Sequence, residues 1–213
     1  YLTRVEWGTD NKTLFAGILA RDHKTHTIYK IDSQTGKSEV FYKETSPTWI
    51  NIRSNLKATE DGGLIFTAER NDKRQVFKVG ADGDVKALTP ETLNVKSLSC
   101  MNGDIAYVTG WQDTPLSTHV FKINLSANDS VEGETENKAP LVTQITQTKG
   151  QNSARFNESC SRYLGYYNGV NTPPQLRAYE ADGSPLAWLN ENPLDETHAY
   201  HEYLGAHVTP EFG

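Results

Sequence analysis

The chain has 213 residues, enough for one sizeable domain or two small ones. Its formal net charge of −6 argues against a nucleic-acid groove, which needs a basic stripe. The longest apolar run, residues 15–20, is far shorter than the roughly 18 residues of a membrane-spanning helix, so no membrane span is expected. Because the sequence lacks an initiator methionine and opens with strand-like residues, we expect it to be part of a longer polypeptide.

Four stretches share one pattern, in which alternating apolar and polar residues run into a turn rich in Asp, Asn, Gly or Ser and then out again. They are HTIYKIDSQTGKSEV, RQVFKVGADGDVKAL, THVFKINLSANDSV and PQLRAYEADGSPLAWL, at residues 26–40, 74–88, 118–131 and 174–189. The aligned residues Tyr29, Phe77, Phe121 and Arg177 are 48, 44 and 56 positions apart. A repeat of this length is typical of propeller blades.

Two further strand-like segments, separated by a polar turn, precede each of these hairpins. In chain order the predicted opening strands are LTRVEW (2–7), WINIRSNL (49–56), VKSLSCM (95–101) and SARFN (153–157). The predicted second strands are TLFAGILA (13–20), LIFTAER (64–70), IAYVTGW (105–111) and YLGYYNG (163–169). The sequence therefore predicts an all-β chain of four consecutive four-stranded antiparallel sheets.

We place these blades at about residues 1–46, 47–92, 93–147 and 148–192. A small sheet cannot cover both of its faces alone, so the blades are expected to stack on one another. No closing strand shared by the first and last repeats is visible, which favours an open partial β-propeller over residues 1–192. Asn192 as a cap, Pro193 after it and Gly205 as a stop predict a short helix in a C-terminal linker, residues 193–213.

The two cysteines, Cys100 and Cys160, are too few for a disulfide framework or a four-sulfur zinc site. They could form one bridge in an oxidising compartment. Two buried free thiols are the interpretation that we favour.

No residue pattern indicates catalysis. Gly-x-Ser-x-Gly does not occur, neither cysteine has a neighbouring histidine, and TGKS at 35–38 lacks the first glycine of a phosphate-binding loop. The densest ligand-like cluster is His198, His201, Glu202 and His207, which we interpret as surface residues of a connecting helix rather than a zinc site. No metal or cofactor is expected.

The strand entry at Trp49, the hairpin AERNDKRQVF (68–77) and the stretch NTPPQLRAYEADG (171–183) carry a family resemblance. Together they resemble the N-terminal β-propeller of the dipeptidyl peptidase IV family of serine exopeptidases, and the resemblance covers essentially the whole chain. It implies an eight-bladed propeller that precedes an α/β-hydrolase domain carrying Ser, Asp and His. The chain would be the last four blades and the start of the linker. The nucleophile and the glutamate pair that holds the substrate's amino group would lie elsewhere.

The resemblance also implies site residues. The segment after Trp49 matches one that borders the substrate site in relatives, and Arg53 or Ser54 is the nearest match. The competing interpretation of Arg53 is a solvent-facing strand residue. Glu69 and Arg70, which open a hairpin, are interpreted as a pair that stabilises the turn.

The leading hypothesis is a non-catalytic propeller that gates and shapes the substrate site of a dipeptidyl-peptidase-IV-like enzyme, which releases N-terminal Xaa-Pro or Xaa-Ala dipeptides. The chain alone is expected to be inactive. Its expected partners are the α/β-hydrolase domain of the same parent chain, peptide substrates and a second copy of the chain. The alternatives are a free-standing four-bladed propeller that binds a protein or glycan, and a propeller glycosidase. By analogy with relatives, we expect the bacterial periplasm or extracellular space, with the cytoplasm as the alternative.

Overall fold

The computed structural model describes residues 1–52, 55–70, 72–125 and 141–210. Within these ranges, sixteen strands form four four-stranded antiparallel sheets, each made of consecutive strands. The first sheet contains β1 (Leu2–Trp7), β2 (Thr13–Leu19), β3 (Thr25–Asp32) and β4 (Ser38–Thr45). The second contains β5 (Lys57–Ala58), β6 (Leu64–Arg70), β7 (Lys73–Val79) and β8 (Val85–Ala87).

The third sheet contains β9 (Asn94–Asn102), β10 (Ile105–Trp111), β11 (His119–Asn124) and β12 (Val142–Gln144). The fourth contains β13 (Gln151–Phe156), β14 (Arg162–Gly169), β15 (Thr172–Glu180) and β16 (Pro185–Asn190). A 3₁₀ helix, His201–Ala206, follows the last sheet. No described strand is exchanged between sheets. The predicted fold class is therefore confirmed, as four consecutive propeller-type blades without a closing strand and with a short helical segment after them.

The described chain divides into two compact units. The first is built around residues 1–98 and holds the first two sheets, and the second is built around residues 99–124 and 142–210. In the described part of either unit, no helix is long and apolar enough to cross a bilayer.

The core of the first unit follows from the two-residue period of its strands. Phe66 pairs directly with Phe77, and Leu64 pairs with Val79, so these four side chains lie on one face of the second sheet. They pack against Phe15 of the first sheet in one buried cluster. Each of these five side chains is at least 96% buried, and full burial of a side chain of this size contributes roughly 1.5–3 kcal/mol.

The core of the second unit contains a run of aromatic rings in contact, two of the three contacts being stacked and one tilted. The Tyr107 and Phe156 ring centroids lie 4.4 Å apart, those of Phe156 and Tyr163 lie 5.0 Å apart, and those of Tyr163 and Tyr179 also lie 5.0 Å apart. Burial raises the pKa of Tyr163 well above its ordinary value. These rings come from β10, β13, β14 and β15, so they join the third sheet to the fourth.

Polar groups reinforce that junction. The Asn152 side-chain amide donates to the Thr118 carbonyl at 2.9 Å and to the Thr148 carbonyl at 2.8 Å. The Thr118 hydroxyl donates in turn to the Asn152 carbonyl at 2.9 Å. Because Asn152 is 93% buried, a side-chain amide without these hydrogen-bond partners would lower the stability of the fold.

The predicted opening strand of the second blade, residues 49–56, is wrong in the part that the structure describes. The strand that pairs with β6 is only Lys57–Ala58. Asn55 binds Thr67 through its side chain instead of the backbone: Nδ2 donates to Thr67 Oγ1 at 2.6 Å, and Oδ1 accepts from the Thr67 N–H at 3.4 Å. The Ile50 N–H bonds to the His23 carbonyl at 2.7 Å, which draws this segment toward the first blade.

Two other predicted elements lie at different positions in the structure. The outgoing arm of the third hairpin was expected near residues 128–131, which lie outside the described residues, and the strand paired with β11 is Val142–Gln144. The linker helix was expected to begin at Pro193, but among the described linker residues only His201–Ala206 is helical. Asn192 has a φ of 48°, a left-handed conformation unsuited to an N-cap, and its side chain donates to the Pro174 carbonyl at 3.1 Å.

Candidate functional site

A cavity of about 700 Å³ lies in the first unit, where the end of β4, the segment after it and the β6–β7 hairpin meet. Its described lining is Tyr42, Lys43, Glu44, Thr45, Ser46, Pro47, Trp49, Ile50, Asn51, Ile52, Thr67, Ala68, Glu69, Arg70, Arg74 and Val85. We call it the hairpin cavity. The predicted pocket-edge residues Arg53 and Ser54 lie outside the described residues, directly after Ile52 in the chain.

Trp49 forms an apolar wall of the hairpin cavity. Its ring stacks on that of His23, with ring centroids 3.9 Å apart and planes 13° apart. Ile50 beside it is buried, whereas Trp49 remains 55% exposed and Ile52 56% exposed. The indole is thus supported on one side and leaves apolar surface for a ligand.

Arg70 projects from the end of β6 and is held by two aromatic residues. Its Nη2 donates to the Tyr42 hydroxyl at 2.6 Å, and its guanidinium lies 4.2 Å from the centroid of the Phe77 ring. Tyr42 is itself packed against Phe66, with ring centroids 5.2 Å apart. The position of this cation is therefore set by the core between the first two sheets.

Arg74 enters the lining from β7. Its Nε donates to Thr67 Oγ1 at 3.1 Å, and its backbone N–H donates to Asn94 Oδ1 at 3.4 Å. Thr67 is 99% buried, so it gives the Arg74 side chain a fixed anchor. Both terminal amino groups of this guanidinium lack a hydrogen-bond partner among the described residues.

The interpretation of Glu69 and Arg70 as a pair that stabilises the turn is wrong. Glu69 Oε2 accepts a hydrogen bond from Asn51 Nδ2 at 2.6 Å, while Arg70 binds Tyr42. Alternation along β6 explains the separation, because consecutive side chains of a strand point to opposite faces. Both residues line the cavity, a role that sequence reasoning missed, since Tyr42 and Asn51 are distant from them in the chain.

The described lining of the hairpin cavity lacks the parts of a hydrolytic centre. It holds the Ser46 hydroxyl, which shares a hydrogen bond with Thr48 Oγ1 at 3.3 Å, but no histidine that could act as its base. Throughout the described chain, His, Cys, Asp and Glu do not converge in groups of three that could hold a metal ion.

The histidines of the tail make separate contacts. His207 Nε2 lies 2.8 Å from Asn171 Oδ1, His201 Nδ1 lies 3.3 Å from the Leu194 carbonyl, and His198 Nδ1 accepts from the Tyr200 N–H at 3.1 Å. Each ring therefore has a local partner.

Cys100 and Cys160 form a disulfide, with their Cα atoms 5.9 Å apart. The interpretation that we favoured, two free thiols, does not hold. The bond joins β9 to the turn between β13 and β14, where the Asn102 side chain also donates to the Ser159 carbonyl at 2.9 Å. The sequence left open whether this bond forms, because that depends on whether two segments 60 positions apart meet in the folded chain.

Comparisons with known proteins agree with this architecture. The family model described as the dipeptidyl peptidase IV N-terminal region matches residues 1–174. The crystal structure of Porphyromonas gingivalis dipeptidyl peptidase 4 superposes with a TM-score of 0.78 at 18% identity, covering 97% of this chain and 28% of that one. A structure assigned as a dipeptidyl aminopeptidase IV, from Bacteroides ovatus, gives 0.69 at 17% identity, with 90% and 29% covered. The chain thus spans less than a third of the length of either protein.

Those two likenesses establish the fold, and the family model, which matches well over half of the chain, establishes the family. The chain belongs to the dipeptidyl peptidase IV N-terminal region family.

Proposed function

We propose that this chain is the part of a dipeptidyl-peptidase-IV-like serine peptidase that gates and shapes its substrate site. The parent enzyme would release N-terminal Xaa-Pro and Xaa-Ala dipeptides. The observation that carries the proposal is the hairpin cavity, whose volume of about 700 Å³ lies within the range of small-molecule and short-peptide sites. The predicted edge residues Arg53 and Ser54 directly follow its described lining, which supports their assignment to the same site.

In this proposal the chain supplies binding energy and the α/β-hydrolase domain of the same parent supplies the reacting groups. A serine of that domain would attack the scissile carbonyl while a histidine takes its proton. The histidine would pass that proton to the amine of the remaining peptide, which leaves as the C–N bond breaks and the acyl intermediate forms. Water would then hydrolyse the acyl bond and release the dipeptide. The Trp49 indole would contact apolar parts of the substrate. Contacts made at a distance from the scissile bond orient the peptide, so their loss weakens capture of the substrate.

We also propose that the parent works in the bacterial periplasm or outside the cell. The disulfide between Cys100 and Cys160 supports this location, because such bonds persist in oxidising compartments and are rare in the cytoplasm.

The first test uses the chain alone and a Gly-Pro chromogenic substrate. We expect no turnover, since the described lining of the cavity offers no nucleophile with a base. Turnover by the purified chain would overturn the proposal. So would a coding region that continues past residue 213 without a Gly-x-Ser-x-Gly segment.

The second test uses the full-length gene product and the variant Trp49→Ala. Loss of the apolar contact is expected to raise KM by roughly 5- to 10-fold, with kcat little changed. The matched control is Trp7→Ala, since Trp7 is 56% exposed and lies outside the cavity lining. Equal effects of the two variants on KM would contradict a substrate role for the cavity.

A further inference from the structure

A second cavity, of about 470 Å³, lies in the second unit between the β14–β15 turn and the tail, residues 191–210. We call it the tail cavity, and its volume falls in the range of small-ligand sites. None of its described lining residues is Asp, Glu, Lys or Arg, although these make up 23% of the chain. A ligand would therefore be held through uncharged, largely apolar parts. The aliphatic side chains of the lining are Val170, Pro173, Pro174, Leu194 and Leu204.

Hydrogen bonds hold the two walls of the tail cavity together. The Gln175 side chain donates to the Glu191 carbonyl at 2.7 Å. Farther along the tail, Asn171 Oδ1 lies 2.8 Å from His207 Nε2 and accepts from the Thr209 hydroxyl at 3.1 Å. The cavity is thus formed before a ligand arrives, which lowers the cost of ordering the protein on binding.

One wall is a continuous chain of hydrogen bonds with a free donor at each end. Because Asn171 Oδ1 only accepts, His207 Nε2 carries a proton, and His207 Nδ1 accepts from the Tyr200 hydroxyl at 3.2 Å. The Tyr200 backbone N–H donates to His198 Nδ1 at 3.1 Å, so the neutral His198 ring carries its proton on Nε2. Among the described residues, neither His198 Nε2 nor Asn171 Nδ2 has a hydrogen-bond partner. These two donors belong to one wall, because three consecutive contacts of 2.8, 3.2 and 3.1 Å connect the residues that carry them.

Two aromatic rings form a corner in that wall. The ring centroids of Tyr200 and His207 lie 6.1 Å apart, and the ring planes meet at 82°. Tyr200 is 43% exposed and Val170 is 50% exposed, so apolar surface remains available on both sides of the cavity. Aromatic-lined apolar grooves of this kind are the surfaces on which proline-rich segments dock.

We propose that the tail cavity binds an extended, proline-containing segment of a peptide or protein. Proline rings are apolar and uncharged, as the walls of the cavity are. A segment in the polyproline II conformation has no internal hydrogen bonds, so its carbonyl groups are free to accept from His198 Nε2 and Asn171 Nδ2. Its conformation is largely set before binding, so it loses little entropy when it docks. The inference does not rest on the proposed function, because it concerns a different cavity with its own walls.

The test is isothermal titration calorimetry of the chain with two peptides of equal length. One is acetyl-Ala-Pro-Pro-Ala-Pro-Pro-Ala amide, and the other has every proline replaced by alanine. The blocked ends exclude binding through a free amino group or a terminal carboxylate. The proline peptide is expected to bind roughly 10-fold more tightly, because it adds apolar ring contacts and is already extended.

Variants assign that preference to the tail cavity. Tyr200→Ala is expected to weaken binding of the proline peptide by roughly 10-fold, since it removes one ring of the corner, whereas Tyr200→Phe keeps the ring and most of the affinity. Tyr166→Ala is the matched control, because Tyr166 is 44% exposed and lies in the same unit but outside the lining. Val170→Ser, on the opposite wall, is expected to weaken binding by roughly 3-fold and serves as the second probe should Tyr200→Ala unfold the tail. Circular dichroism establishes that each variant is folded.

The outcomes separate this inference from the proposed function. Equal binding of the two peptides, or binding of neither, would refute the proline site and leave the role of the hairpin cavity untouched. If Tyr166→Ala weakens binding as much as Tyr200→Ala does, the contact is not local to the tail cavity and the inference is again refuted. Trp49→Ala is expected to leave this binding unchanged. If Trp49→Ala weakens it and Tyr200→Ala does not, the segment binds in the hairpin cavity, which overturns this inference while the proposed function stands.

Discussion

The disulfide between Cys100 and Cys160 gives the most direct quantitative prediction. Replacing both cysteines with serine frees the unfolded chain from a cross-link across 60 positions. The loop-closure entropy for that length corresponds to about 4 kcal/mol of stability at 25 °C. For a chain of this size, such a loss corresponds to a fall in Tm of roughly 10 °C.

The assay is thermal unfolding followed by circular dichroism, with and without a reductant. Reduction of the wild-type chain should lower its Tm by about as much as the double substitution does, and reductant should not change the Tm of the double variant. Titration of free thiols shows when the bond is broken. An unchanged wild-type Tm after complete reduction would refute the reasoning, because it would mean that the cross-link does not restrict the unfolded state.

Two further predictions concern the turns. Backbone N–H groups of Thr13 and Lys12 donate to Asp10 and hold its pKa at about 2, against an ordinary value of 3.8. Since the folded pKa is the lower one, this stabilisation is present above about pH 4 and is lost as the pH falls toward 2. In urea unfolding, the difference in unfolding free energy between the wild-type chain and Asp10→Asn should therefore shrink across that window. A difference that stays constant with pH would contradict the prediction. Gly183 has a φ of 93°, and a Cβ there would lie 2.8 Å from Ile145 Cγ2, so Gly183→Ala should cost roughly 1–3 kcal/mol. Gly36→Ala, at a φ of 71° in open space, should cost only about 1 kcal/mol, and equal losses in the two denaturation curves would count against the steric argument.

Local patterns were sufficient to predict most of the strands. The segments LIFTAER and IAYVTGW coincide with β6 (Leu64–Arg70) and β10 (Ile105–Trp111). Period-2 alternation and turn residues are properties of short stretches, and the repeat of the hairpin along the chain shows that the same unit recurs. Family resemblance then predicted the type of propeller, and the family model agrees with it.

Contacts between distant segments were not predictable in the same way. Asn55 bonds Thr67 through its side chain where a backbone strand pairing was expected. The strand propensity of the residues around Asn55 does not predict this contact. The two cysteines meet only because β9 and the β13–β14 turn lie side by side in the folded chain.

The sequence by itself determined the sheets, their order and the number of blades, because hydrogen-bonded hairpins form between neighbours in the chain. Only the tertiary structure decided the hairpin cavity, where Tyr42 of the first sheet fixes Arg70 of the second and Trp49 comes from the segment between them. The physical reason is that a binding site depends on the positions of side chains from separate elements. Those positions are set by how the blades pack, which alternation within a single strand does not encode.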